Sequence, residues 1–234
     1  MTGQELKELR RSKKWTQQQA AQKLGLTQAY LSMLERGRRA LPYSLARRVS
    51  GLLQAPATLV PLREASLGQP SGDERLRVEL AALEYPRFEH LVVQSARRRN
   101  RRNPADVLLS ALNEANLDSR VAEGLPWLAA RYADMDWDWL VLNAKVRDRQ
   151  NRLGFVAGLG LQLAQEAGSA HAERRLREYV EVLERSRLVR EDTLCQEGLT
   201  PPEREWLREN RPEAARHWNL LTDMRVENLT HAGV

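Results

Sequence analysis

The sequence predicts an all-α protein in two parts, a five-helix N-terminal domain and a C-terminal α-helical bundle. β-branched residues are sparse and isoleucine is absent. No segment alternates apolar and polar residues for long, so we expect no sheet. Helix-capping residues and apolar stripes recur with short connections between them, which is typical of antiparallel helices in a bundle. No repeat period supports the alternative, a short solenoid.

The composition is that of an ordinary globular protein, with 234 residues, 29% charged and 42% hydrophobic. The single cysteine, Cys195, excludes a disulfide framework and an all-cysteine metal site. The four histidines form no ligand-spaced pair, so we expect no metal and no cofactor. Residues 155–164 are the longest near-apolar stretch, which is too short to cross a bilayer. The N-terminus lacks the apolar run of a signal peptide, which favours a cytoplasmic location.

Charge is spread unevenly along the chain. Residues 1–63 hold 12 Lys and Arg against 3 Asp and Glu, a net charge of +9, whereas residues 105–234 hold 17 against 22, a net charge of −5. A domain as basic as the first attracts polyanions and speeds their capture. We therefore predict a basic domain at 1–63, a linker with a short helix and a basic run at 64–104, and an oligomerisation or partner-binding domain at 105–234.

Residues 17–36 have the pattern that two closely crossing helices require. Ala21 is small where the helices cross, and Gly25, four residues later, tolerates the left-handed backbone of a turn. Thr16, in a capping box, and Thr27 are predicted to cap the two helices. The apolar residues that would pin both helices to one core are Ala20, Leu24, Leu26, Leu31 and Leu34.

The second of these helices has a polar outer side suited to base recognition. Its exposed residues near the N-terminus are Gln28, Ala29, Ser32 and Met33. Glutamine can form two hydrogen bonds to the major-groove edge of adenine, and alanine can contact a thymine methyl group. Gln17 begins the first helix, where N–H groups and the helix dipole favour a phosphate. The basic loop at 36–39 suits the DNA backbone.

Residues 3–60 resemble the helix-turn-helix domains of the Cro/repressor or XRE family, and the carrying residues read LKELRRSKKWTQQQAAQKLGLTQAYLSMLERGRRALP. The resemblance implies that Arg10 pairs with Glu35, that the second helix reads bases, and that Gln17 and the loop after Gly37 hold phosphates. Trp15 and Ala29 depart from the family pattern, which leaves the operator sequence open. The predicted DNA-binding residues are Gln17, Gln18, Thr27, Gln28, Ala29, Tyr30, Ser32, Met33, Arg36, Arg38 and Arg39.

Further helices are predicted beyond this domain. Prolines and glycines at 56–73 indicate a final turn and a linker, and residues 74–85 can form one helix. The run Arg97–Arg102 is predicted to be an exposed loop or helix end, either a second phosphate-contacting arm or simply a disordered loop. The helix after Asp136 is predicted to reach Glu166 and to end at Gly168. The other predicted helices begin after Asn103, Asp118, Thr200 and Pro212, with one more over 170–190.

Aromatic residues concentrate near one helix junction, at Trp127, Trp137, Trp139 and Phe155. They form either a partner surface or a packed core, and the core is favoured. Asp136 and Asp138 have no histidine or third carboxylate near them in sequence, so a metal or acid–base role is disfavoured.

Small, polar and reactive residues in the C-terminal part also have competing interpretations. Small residues at 154–160 favour close helix packing over a kink. The polar run at 145–152 is either a solvated helix face, which is favoured, or an interface for an acidic partner. Cys195 and His217 are predicted to be packed rather than catalytic.

The sequence favours a sequence-specific regulator of transcription that binds double-stranded DNA, a repressor acting as a homodimer. A single module of this size gives weak specificity, and a dimer adds a second half-site. The alternative is an antitoxin that binds its own operator and neutralises a toxin through the C-terminal domain. A helix-turn-helix used only for protein contacts has no need for a net charge of +9. An enzyme is disfavoured, because the sequence shows no cleft of converging titratable groups.

Overall fold

The structure is a computed structural model that describes residues 1–62, 72–91 and 101–229. Helices dominate these residues, which confirms the all-α fold class. Within the same ranges, no helix is long and apolar enough to cross a membrane. Residues 1–62 are called the head below, and the described residues from 72 onward are called the body.

The head has four α-helices and one short 3₁₀ helix: α1 (Gly3–Ser12), α2 (Gln17–Lys23), α3 (Gln28–Glu35), α4 (Tyr43–Leu53) and the 3₁₀ helix Ala57–Leu59. The fifth predicted helix is therefore a single 3₁₀ turn. The core of the head collects buried side chains from Leu6 to Leu53, and the predicted core residues belong to it. Leu26 is partly buried at its edge.

The body contains eight α-helices: α5 (Asp73–Ala82), α6 (Pro104–Leu112), α7 (Ser119–Arg131), α8 (Trp137–Lys145), α9 (Gln150–Glu166), α10 (Ala170–Glu184), α11 (Pro201–Asn210) and α12 (Glu213–His217). Short 3₁₀ helices lie at Pro86–Leu91 and Val226–Asn228. α9 packs against α7 and α10 at the centre of the body.

The predicted caps of the body helices are confirmed. Asn103, Asp118 and Asp136 each accept a backbone N–H near the start of α6, α7 and α8, respectively. Thr200 and Glu203 form the capping box of α11, whose span equals the predicted one. Local hydrogen bonding therefore sets these four helix starts.

Two predicted helix lengths are wrong. The helix from Asp136 does not reach Glu166, because the chain turns between α8 and α9 with Asp148 in the left-handed region at φ 55°. α10 ends at Glu184 rather than near 190. The end of α9 at Gly168, with φ 67°, is as predicted.

The expectation of no sheet is also wrong. Two short strands, β1 (Asp192–Thr193) and β2 (Leu220–Leu221), pair in parallel with Asp192 opposite Leu220. The strands are remote in sequence and only two residues long, so no alternating pattern announces them.

The aromatic cluster is core, as favoured from the sequence. Trp127, Trp137 and Phe155 are each 1% exposed, and Trp137 stacks on Tyr179 with ring centroids 5.3 Å apart. The prediction that small residues allow close packing is confirmed at Gly154. A Cβ atom there would lie 2.3 Å from the Trp218 ring.

The prediction of a solvated polar run at 145–152 is wrong for its last part, because Gln150, Asn151 and Arg152 are buried. Arg152 is fully buried, and its Nε and Nη2 atoms donate to Asp192 at 2.8 Å each. Its Nη1 atom donates to the carbonyl oxygens of Leu112 and Glu114. An arginine can be buried when such partners satisfy its five N–H donors.

The segment around residue 102 joins the head to the body. The prediction that Arg102 is exposed is wrong, because it is buried in ion pairs with Glu79 at 2.6 Å and Asp106 at 2.9 Å. The Asn103 amide donates to the carbonyl oxygens of Thr58 and Val60 at the end of the head. Residues 97–100 of the basic run lie outside the described residues. Leu76, Leu80 and Ala81 of α5 lie in the body core, and the division into three segments stays a prediction.

Candidate nucleic-acid interface

α2 and α3 form a tight helix–turn–helix unit. Gly25 lies in the left-handed region at φ 60°, and the Leu26 N–H donates to the Ala21 carbonyl across the turn at 2.8 Å. Ala21 is buried where the two helices meet. A side chain at Gly25 would meet no neighbour, so the turn needs glycine for its backbone angles rather than for space.

Threonine caps fix the start of both helices. Thr16 and Gln19 form the predicted capping box of α2. The Thr27 hydroxyl accepts the Tyr30 N–H at 3.2 Å and caps α3. These bonds hold the backbone of the first turn of each helix in its helical conformation.

A buried ion pair ties the end of α3 to α1. Arg10 Nε and Nη2 donate to the two carboxylate oxygens of Glu35 at 2.6 and 3.1 Å, while Nη1 donates to the Trp15 carbonyl at 2.8 Å. Such a bidentate pair is strong and directional. Burial alone would raise the pKa of Glu35, but the hydrogen bonds from Arg10 and Gln17 outweigh it and hold that pKa below its usual value.

The side-chain amide of Gln17 joins this network. Its Nε2 atom donates to Glu35 Oε2 at 2.8 Å. A glutamine amide has two N–H donors, so one remains for another acceptor. Glu35 therefore orients the side chain that the sequence predicts to hold a phosphate.

The predicted base-reading residues lie together on the outer surface of α3. Thr27, Gln28 and Ala29 are exposed at its N-terminal end, and Gln18 is exposed on α2. Ser32 and Met33 are partly exposed one turn later, whereas Tyr30 packs partly against the core. The structure brings these side chains to one face, and their contact with DNA stays a prediction.

The loop after α3 carries exposed arginines. Gly37 has φ 69°, and the Arg38 N–H returns to the Met33 carbonyl at 2.9 Å to close the helix. Arg36, Arg38 and Arg39 are exposed beside it. Among the residues that the structure describes, none of the three has an acidic partner, so their charge faces solvent.

A small residue that the sequence pattern did not indicate positions the interface. Gly3, at the start of α1, lies against the end of α3, where a Cβ atom would be 2.1 Å from the Leu34 carbonyl oxygen. Sequence spacing gave no signal for it, because the contact joins residues about thirty positions apart. An open cavity of about 470 Å³ lies beside this contact and includes Lys7, Glu35 and Arg36 in its lining.

The body offers no comparable polar site among its described residues. Cys195 is buried, and burial raises the pKa of its thiol to about 11, which disfavours the reactive thiolate. His217 is bonded to Glu184 at 2.7 Å on the surface. Within the described ranges, no group of three His, Cys, Asp or Glu side chains is placed to hold a metal.

Comparison with known protein families gives a match on the head. Residues 6–59 match the family described as Helix-turn-helix, of XRE type, and the C-terminal region has no family match. Neither a curated protein nor a solved structure matches the chain. The match therefore covers the residues that form the surface described above.

Proposed function

We propose that this chain, whose residues 6–59 form a DNA-binding helix-turn-helix domain of XRE type, is a sequence-specific repressor that acts as a homodimer. The observation that carries the proposal is the exposed start of α3, held by the Thr27 cap and the Arg10–Glu35 pair. A rigid helix end of this kind fits the major groove of duplex DNA.

Within this proposal the exposed residues divide by role. Gln28, Ala29 and Ser32 read base edges, and Arg36, Arg38 and Arg39 contact phosphates. Gln17 donates one N–H to Glu35 and its second N–H to a phosphate. Glu35 therefore orients Gln17 for a contact with the DNA backbone even in the absence of DNA. Phosphate contacts set position and salt dependence, whereas base contacts set sequence preference.

Fluorescence anisotropy at two salt concentrations tests the proposal, with a duplex from upstream of the protein's own coding sequence and a scrambled duplex. Gln28→Ala should lose about 1–3 kcal/mol of preference for the native duplex. Arg38→Ala should weaken both duplexes alike and reduce the salt slope by about 1. Arg190→Ala, which removes an exposed arginine of the body, is the matched control and should change neither.

Binding of both duplexes with equal affinity by the unmodified chain would contradict sequence-specific recognition of this site. If Gln28→Ala and Arg38→Ala both left binding untouched, the assigned orientation of α3 would be wrong.

In the antitoxin alternative, the head binds DNA in the same way and the body binds and neutralises a toxin. Its predicted contact surface was the tryptophan-rich region, but Trp127 and Trp137 are buried in the core. No contact among the described residues favours this alternative over the repressor.

A further inference from the structure

The body has one helix with an apolar strip facing solvent. Leu142 on α8 is 63% exposed and Val146, the C-cap of α8, is 74% exposed, whereas Leu140 and Ala144 on the opposite side are fully buried. Leu142 and Val146 are one helical turn apart and form a continuous surface. Trp139, partly buried, extends that surface towards the helix start.

Two pairs of residues flank Leu142, and each pair is seven positions apart. Seven residues are almost two helical turns, so both members of a pair lie on the same side of the helix. Asp138 and Lys145 lie on one side, and Trp139 and Val146 lie on the other. The exposed face of α8 is therefore polar along one edge and apolar along the other.

This arrangement is complementary to itself when a second copy runs antiparallel. Such a pair has a two-fold axis beside Leu142, perpendicular to both helices. Each edge of the helix then faces the same edge of its copy, and the residues along that edge run in the opposite order. Asp138 then faces the partner's Lys145, and Trp139 faces the partner's Val146. A parallel copy would instead set Asp138 against the partner's Trp139, which buries charge on an apolar group.

The charged edge is available for such pairing. Lys145 has no ion-pair partner among the residues that the structure describes. Asp138 is exposed, and the Tyr179 hydroxyl donates to one of its carboxylate oxygens at 3.2 Å, which leaves the other oxygen for a partner.

We infer that two copies of this chain associate through antiparallel pairing of α8, centred on Leu142. The inference names the dimer surface of the proposed regulator, and it rests on that proposal only for its biological use. A single pair of helices buries less than the roughly 1,600 Å² of a standard interface, so the free dimer is weak and operator DNA strengthens it.

Cysteine cross-linking of the full chain tests this pairing without DNA. Leu142→Cys places a thiol at the two-fold axis, while the native Cys195 is buried and does not compete. Facing positions of close antiparallel helices bring Cα atoms within disulfide range. The disulfide dimer should form about tenfold or more faster than with Val189→Cys, whose site is 93% exposed. Equal rates would overturn the inference.

A second cross-linking experiment tests the charged edge of α8. Lys145→Glu, added to the Leu142→Cys chain, sets a second carboxylate against the partner's Asp138 and should slow cross-linking about tenfold. Reversing the edge completely, with Asp138→Lys added, should restore the rate. No slowing by the single change, or no recovery by the double change, would overturn antiparallel pairing.

DNA binding is measured separately, so the two proposals fail in different ways. If cross-linking is no faster at Leu142→Cys than at Val189→Cys, or is not slowed by Lys145→Glu, while the chain still prefers its native duplex, then only the α8 dimer surface is contradicted. If cross-linking is specific to Leu142→Cys but the chain shows no preference for its native duplex, then the proposed regulator function is contradicted and the α8 dimer surface stands.

Discussion

At the scale of single residues, Glu35 links the fold of the head to its outer surface. Its carboxylate binds Arg10 inside the head and Gln17 at the edge of the proposed interface. The pair was expected from the family resemblance, but the contact with Gln17 was not. The contact with Arg10 follows from the positions of α1 and α3 in the fold. The contact with Gln17 depends on the side-chain rotamer of Gln17, which the sequence does not specify.

Glu35 should give the head a distinct response to acid. Because the folded-state pKa of Glu35 is lowered, its contribution to stability is complete above the ordinary carboxyl pKa of about 4 and is lost as the pH falls through the lowered value. Glu35→Gln should remove this part of the pH dependence. It should also cost about 3–5 kcal/mol near neutral pH, because Arg10 stays buried without its counter-charge.

Urea unfolding of both proteins at neutral and acid pH measures the effect. Glu8→Gln, an exposed change on the same helix as Arg10, is the control and should keep the wild-type pH dependence. If the free energy of unfolding changed by the same amount between neutral and acid pH in wild type and Glu35→Gln, the role assigned to Glu35 would be wrong.

At the scale of helices, local signals predicted starts better than ends. Thr16, Thr27 and Asn103 cap their helices through bonds to residues two or three positions away, so their spacing is visible in the sequence. The break between α8 and α9 was not visible. Just after it, Arg152 of α9 binds Asp192, which lies 40 residues further along the chain, so no local pattern indicates this contact.

Two glycines of α9 should respond oppositely to alanine. Gly154→Ala places a Cβ atom 2.3 Å from the Trp218 ring, and the overpacking should cost about 1–3 kcal/mol. Gly158→Ala meets nothing within 4 Å and should stabilise the protein by about 0.5–1 kcal/mol, because alanine favours a helix. Chemical unfolding of the two variants beside wild type measures both effects. Destabilisation by Gly158→Ala would contradict the open space beside it.

At the scale of the whole molecule, helices α1 to α4 share one core, whereas Ala57 of the head belongs to the core of the body. We propose that α1 to α4 and the body respond separately to mutation. Arg152→Met should destabilise the body by about 3–5 kcal/mol, because it leaves Asp192 without its principal counter-charge. Hydrogen exchange should then speed up in α6 to α10 and stay unchanged in α1 to α4. Arg177→Met, at an exposed pair with Glu173, should change stability by less than about 1 kcal/mol.

Loss of exchange protection in α1 to α4 of Arg152→Met would contradict separate responses. The contacts that join the two parts would then couple them strongly; they include the bonds from Asn103 to the carbonyl oxygens of Thr58 and Val60, and the bond from Arg47 to the Arg101 carbonyl.

The fold class and the face of α3 were predictable because they rest on residues close together in sequence. The role of Arg152 was not, because a buried guanidinium is recognised only through its remote partners. For the same reason the exposed strip on α8 had no signal. An apolar residue on a helix predicts burial, and only the assembled body shows that Leu142 and Val146 remain outside it.

The two cores also differ in the order in which a ribosome can complete them. All the fully buried residues of the head core lie between Leu6 and Leu53, whereas the buried Arg152 of the body donates to Asp192 and Glu197, which are synthesised later. At about 5–20 residues per second, Glu197 is synthesised about 7–30 s after Leu53, so the head can fold before the body. Under the proposed function, a nascent chain therefore carries a folded head before the α8 surface of the proposed dimer is complete, and it can occupy one half-site at most.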